Sequence, residues 1–123
     1  MLLASVKPAR AHAVPFSYLD LHVRPNGLEG TLVVHILDVA HDLNVAKPER
    51  LLDAVFAVQQ TARISQLFAS RLQVTVGGSV LTPSWSGPEV VADRQSLRFT
   101  IQYLLDGRPG VISIAARLFP YDP

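Results

Sequence analysis

The chain has no cysteine among its 123 residues. Disulfides, thiolate catalysis and cysteine-based zinc sites are excluded together. Charge is also scarce: charged residues make up 17% of the chain, the net charge is +1, and Lys7 and Lys47 are the only lysines. Acidic and basic residues interleave, which leaves no electrostatic footprint for nucleic acid or an anionic membrane surface. No apolar run reaches the ~18 residues of a spanning helix, so direct membrane insertion by this chain is not expected. H-E-x-x-H is missing, which removes zincin chemistry, and so is the Gly-x-Ser-x-Gly elbow of a serine hydrolase. Gly77-Gly78 lies between two strand-like segments, not ahead of a helix, and cradles no phosphate. The expected protein is therefore not an enzyme.

Apolar residues are plentiful, at 49%. A chain of this length and composition forms one domain with a genuine core. Such a domain is compatible with export even without disulfide staples.

Hydrophobic periodicity predicts the elements. From Phe16 to Val23, Ser17, Leu19, Leu21 and Val23 alternate with Tyr18, Asp20 and His22. Pro25-Asn26-Gly27 carries the strongest short hairpin signal, and Leu28 to Leu37 reads as the partner strand. With Asn26-Gly27 as the loop, Arg24 faces Glu29, His22 faces Thr31, Asp20 faces Val33 and Tyr18 faces His35. Asp38 then caps a single helical turn. Pro48 opens a helix that runs without glycine or proline to Arg71, about six turns long. Its apolar stripe is Leu51, Val55, Val58 and Ala62, extended by Ile64, Leu67 and Phe68.

After the helix the period returns to two at Leu72, Val74 and Val76, and Gly77-Gly78 turns the chain into Ser79 to Thr82. Pro83 to Pro88, with Trp85 inside, reads as a loop or an irregular edge; a lone tryptophan is more often a core plug than a binding surface. Gln95 to Leu104 is a strand presenting Leu97, Phe99, Ile101 and Tyr103 on one face. Val111 to Leu118 is the last strand, burying Ile112, Ile114 and Leu118. The predicted class is α+β, mainly antiparallel β: a sandwich-like or curled sheet of about six strands in consecutive hairpins. One long helix, about 48–71, is inserted between the second and third strands.

Four histidines are the candidate chemical residues. His22 and His35 sit on the polar face of the first hairpin, offset by about 13 Å at the usual strand rise. Two rings so far apart do not share one ion, because metal–imidazole bonds are about 2 Å long. They read as solvent-facing strand residues, with Asp20 diagonally between them. Tyr18, Asp20 and His22 then form a candidate interaction face. His41 lies three residues after Asp38 and shares a helical face with it.

The start of the chain concerns compartment. Ala9-Arg10-Ala11 matches the small-residue pattern at which signal peptides are cut, behind a short apolar remnant. Residues 1–11 are read as a signal-peptide remnant or a tail, and 12–123 as the single β-rich domain. Cleavage after Ala11 makes His12 an N-terminus whose amine and imidazole form a nitrogen pair suited to copper or nickel. A small secreted metal carrier, with His35 or His41 completing the shell around His12, is the alternative reading of function.

Several segments carry a resemblance. They are His12-Ala-Val-Pro-Phe-Ser-Tyr-Leu-Asp-Leu, Leu28-Glu-Gly-Thr-Leu-Val-Val-His-Ile-Leu-Asp38 and Ala40-His41-Asp42-Leu43. Gly77-Gly78, Asp93-Arg94-Gln95-Ser96-Leu97 and Phe119-Pro-Tyr-Asp122 continue it. Together they resemble the N-terminal extracytoplasmic domain of HupE/UreJ-type membrane proteins, which accompany hydrogenase and urease genes and are linked to movement of nickel or a related metal. The resemblance implies an extracytoplasmic location, on the periplasmic or cell-surface side, and a non-enzymatic accessory role. The partner it implies is a membrane protein, or a membrane-spanning region beyond Pro123. In that family the metal role belongs to the membrane helices, so the resemblance implies no resident cofactor and no metal residue in this chain.

Overall fold

The computed structural model describes residues 17–106 and 110–120. The chain is α+β and mainly antiparallel. Strands β1 (Tyr18–Arg24) and β2 (Gly27–His35) form the first hairpin, followed directly by helix α1 (Ile36–Leu43). A 3-10 turn at Pro48–Leu52 leads to α2 (Ala54–Gln59) and α3 (Thr61–Ala69). Then come β3 (Leu72–Val76), β4 (Ser79–Val80), β5 (Ser84–Val91), β6 (Ser96–Leu104) and β7 (Ile112–Ala116). Two sheets result, one of four strands in the order β1-β2-β6-β5 and one of three in the order β4-β3-β7.

The expected succession of neighbouring hairpins is corrected here. β2 pairs with β6, distant in sequence, and β7 leaves β6 to pair with β3 in the other sheet. Both sheets feed one core. Leu28, Leu32 and Val34 of β2 and Leu97, Phe99, Ile101 and Tyr103 of β6 meet Ile64 and Phe68 of α3 and Leu72 and Val74 of β3. The alternation predicted for Leu97 to Tyr103 holds at every position.

The first hairpin forms where expected, but its register slides by two residues. Pro25 and Asn26 make the turn, and Arg24 stands opposite Gly27. A two-residue slide preserves which face each side chain takes, so the aliphatic side stays inward. The cause is β6. Gly27 lies so close to the Tyr103 carbonyl that a Cβ there would collide with it. The glycine is needed for close approach inside the strand, not for the turn. Gly77 and Gly78 do serve a turn, with φ of 58° and 85°, the pair of positive values that closes a tight hairpin.

The long helix expected over 48–71 is broken. Asp53 adopts an extended backbone and caps α2, its Oδ1 accepting from the N–H groups of Val55 at 2.9 Å and Phe56 at 3.1 Å. Leu51 is buried ahead of this break and does not set the phase of the helix after it. The inward positions become Ala57, Ile64 and Phe68, while Val55, Val58 and Ala62 face solvent. Two residues of helix turn through about 200°, so rephasing from Val55 to Ala57 reverses the face.

Two more expectations change. Pro83 to Pro88 belongs mostly to β5, which carries a register shift between Ser86 and Glu89. Trp85 plugs the core as expected, its ring 6.3 Å from Phe68 and 5.4 Å from Phe99. The last strand is not buried: Ile112 is half-buried and Ile114 is 49% exposed.

Candidate interaction face

Alternation gives the four-stranded sheet an apolar inner face and a mainly polar outer one, interrupted by the buried Val33 and the exposed Leu104. Its outer side chains stand in rows across the strands. Tyr18, Val33, Arg98 and Glu89 form one row; Asp20, Thr31, Thr100 and Ser86 the next; His22, Glu29, Gln102 and Ser84 the third. Tyr18, Asp20 and His22 therefore do share a face, with Asp20 and His22 exposed and Tyr18 half-buried. The register sets His22 against Glu29, whereas the sequence pairing put Thr31 there.

Ion pairs on this face are solvated. Arg98 Nη2 lies 2.8 Å from Glu89 Oε2, and Arg24 Nε lies 4.0 Å from Glu29 Oε2. Each such pair is worth at most about 1 kcal/mol. They offer charge for recognition without holding the sheet together. Beside the first turn, an open cleft of about 270 Å³ is lined by Arg24, Asn26, Glu29, Gln102 and Leu104 among others.

One end of the face differs. His35, expected to face solvent on the strand, is only 7% exposed. The strand ends there and α1 begins at Ile36, with His35 as N-cap in place of Asp38. Its Nδ1 accepts from the Leu37 N–H at 3.1 Å, which puts the ring proton on Nε2. The His35 N–H donates to Ser17 Oγ at 3.3 Å, and Ser17 Oγ donates to Asp38 Oδ2 at 3.5 Å. Serine, histidine and aspartate thus meet, but not as a nucleophile relay: the hydroxyl proton goes to the carboxylate, and the ring is occupied by backbone. Asp38 sits in the first turn of α1, where the helix dipole favours a carboxylate. Sequence reasoning missed this cluster. Its only signal was an acid three residues after a histidine, the outline of a capping box with an unusual cap.

Burial holds the His35 ring below its ordinary value of 6.5, and the neighbouring Asp38 opposes that only in part. A folded-state value below the unfolded one means that the unfolded chain takes up the proton first. Stability from His35 is thus fully present above pH 6.5 and falls as pH drops from there through the lowered value. Thermal midpoints between pH 7.5 and 5 should decline for the wild-type chain, and His35→Asn, which keeps an acceptor at the cap, should flatten the decline. Parallel curves for the two proteins would reject His35 as the source.

The remaining histidines are separate. His41 is exposed, its Nδ1 2.9 Å from Asp42 Oδ1. Six residues divide it from His35, about 9 Å of rise along α1 and a turn to a different side. His12 lies outside the described residues, as does the cleavage pattern at Ala9-Arg10-Ala11. Among the described residues, no three His, Asp or Glu side chains are grouped so as to hold a metal ion. No helix among them is long and apolar enough to cross a membrane.

Comparison with protein-family models, curated proteins and solved structures found no match.

Proposed function

We propose that this chain is a non-enzymatic accessory domain on the extracytoplasmic side of a membrane, binding a membrane-protein partner through the outer face of its four-stranded sheet. The observation that carries this reading is the set of outer-face rows, polar except at the buried Val33, in which Asp20, His22, Thr31 and Thr100 present charge and hydroxyl groups from adjacent strands. Side chains on rigid strands keep their spacing, so a partner finds its contacts already placed and little ordering entropy is lost on binding. The compartment and the membrane setting come from the resemblance to HupE/UreJ-type heads. In that setting the domain would serve metal traffic by docking, with the metal handled by the membrane part.

The test is positional. A photoreactive amino acid placed at Asp20 or Thr100 should cross-link to a membrane-fraction protein in the cells that make this chain. The same probe at Gln73, on the other sheet, should not. Equal labelling from both sheets, or none from the outer face, would remove the proposed contact surface.

A further inference from the structure

The molecule has four described sheet edges, and three of them are guarded. Unguarded edges invite pairing with another chain, and natural proteins blunt them with charge, proline, bulges or short length. β1 carries Asp20, His22 and Arg24. β5 is bent by the register shift around Gly87 and Pro88. β4 is two residues long, and Pro83 follows soon after. β7 reads Ile-Ser-Ile-Ala-Ala, with no charge, proline or bulge. Ile114 is 49% exposed and the adjoining Val111 79% exposed.

Hydrogen bonding fixes what this edge can accept. The Arg117 N–H donates to the Arg71 carbonyl at 2.7 Å, and the Gly77 N–H donates to the Val111 carbonyl at 3.4 Å. In an antiparallel ladder the residues bonded to one neighbour alternate with those facing away. Val111, Ser113, Ala115 and Arg117 therefore face β3. Ile112, Ile114 and Ala116 turn their N–H and C=O groups to the open side. The same alternation appears across β3, where the Val74 carbonyl accepts from the Leu81 N–H on the β4 side.

We propose that β7 pairs antiparallel with β7 of a second copy of this chain, centred on Ile114. This register sets Ile114 opposite Ile114 and Ile112 opposite Ala116, so every outward donor meets an outward acceptor, making about six hydrogen bonds. Even-numbered registers shifted to either side pair fewer of these groups. No like charges oppose each other, because each Arg117 falls opposite a Val111. The two three-stranded sheets become one of six, ending at both sides in the short β4. The exposed Ile114 side chains become a cross-strand pair that extends the apolar inner face. The contact is small beside the ~800 Å² per partner of a standard interface, so the dimer forms weakly, with a dissociation constant of about 10 μM to 1 mM. It uses neither the outer face of the four-stranded sheet nor its partner, and stands or falls separately from that reading.

Sedimentation equilibrium on the full chain should show the average mass rising from 13.4 kDa toward twice that value across this concentration range. Ile114→Pro should stay monomeric throughout, because the Ile114 N–H faces away from β3 and its loss breaks no bond within the copy. Since the chain has no cysteine, single-cysteine variants give a second readout that does not need the proline variant to fold. Paired residues in such a ladder lie about 5.5 Å apart, within disulfide reach. Ile114→Cys should cross-link to itself under mild oxidation at least tenfold faster than Ile112→Cys, whose copies are four residues out of register. A wild-type chain that remains at 13.4 kDa at the highest concentration, or equal cross-linking at both positions, overturns the proposal.

Discussion

Replacing Phe68 with alanine is expected to cost about 3–5 kcal/mol of folding stability. The ring is fully buried in the common core and packs α3 against β5 and the segment after β7. It stacks 6.3 Å from Trp85 of β5, at an interplanar angle of 17°, and meets Phe119 edge-on at 5.7 Å. Its helix, α3, also packs against β3 of the smaller sheet. Truncation therefore opens a cavity bordered by several elements, which cannot all relax into it at once. A domain of this size has only about 5–15 kcal/mol in total, so the loss is a large fraction. Urea unfolding followed by the single tryptophan would measure it, since Trp85 packs against the core in the folded state and is exposed on unfolding. Phe68→Leu should cost less than half as much. A Phe68→Ala loss below about 1 kcal/mol would mean that the site collapses freely and that this ring does not hold α3 against β5.

The second large effect is expected at the Asp42–Arg71 pair. The Asp42 side chain is 6% exposed and that of Arg71 23% exposed. The Arg71 guanidinium bonds the Asp42 carboxylate and also donates to the Leu118 carbonyl at 3.0 Å. The clip thus ties α1 to the start of β3 and to the segment after β7. Asp42→Ala leaves a mostly buried cation unpaired, which costs about 2–4 kcal/mol after allowance for the partial exposure of Arg71. Arg71→Met alone leaves the carboxylate buried and removes the donor to Leu118. The double variant Asp42→Leu with Arg71→Met should recover at least half of the Asp42→Ala loss, because it removes both charges. Hydrogen exchange gives a local check. The Arg117 N–H, bonded to the Arg71 carbonyl at 2.7 Å, should lose protection in Asp42→Ala more than the Leu32 N–H in the core. Equal change at both sites would argue against a local clip.

The polar rows were partly legible. Period-two patterning put Tyr18, Asp20 and His22 on one side of β1, and a register error of two residues left that assignment intact. Their neighbours across the sheet were not legible. Arg98, Thr100 and Ser86 join them only because β6 inserts beside β2 and β5 follows it. The cluster at His35 escaped for a related reason. Local patterning continued the strand to Leu37, but β2 ends where its last residue caps a helix, and Ser17 reaches Asp38 across 21 positions.

Local sequence by itself determined the period of β1, β2, β3 and β6, the presence of both hairpins, the buried side of β6 and the mainly antiparallel class. These depend on neighbours a few residues apart, whose side-chain directions follow from backbone geometry alone. Tertiary structure decided the rest: the exact hairpin register, set by the Tyr103 carbonyl against Gly27; the helix face that packs inward after the break at Asp53; the transfer of β7 to the smaller sheet. Each is a choice among locally equivalent arrangements. The contacts that separate those arrangements lie far apart along the chain, where periodicity carries no information.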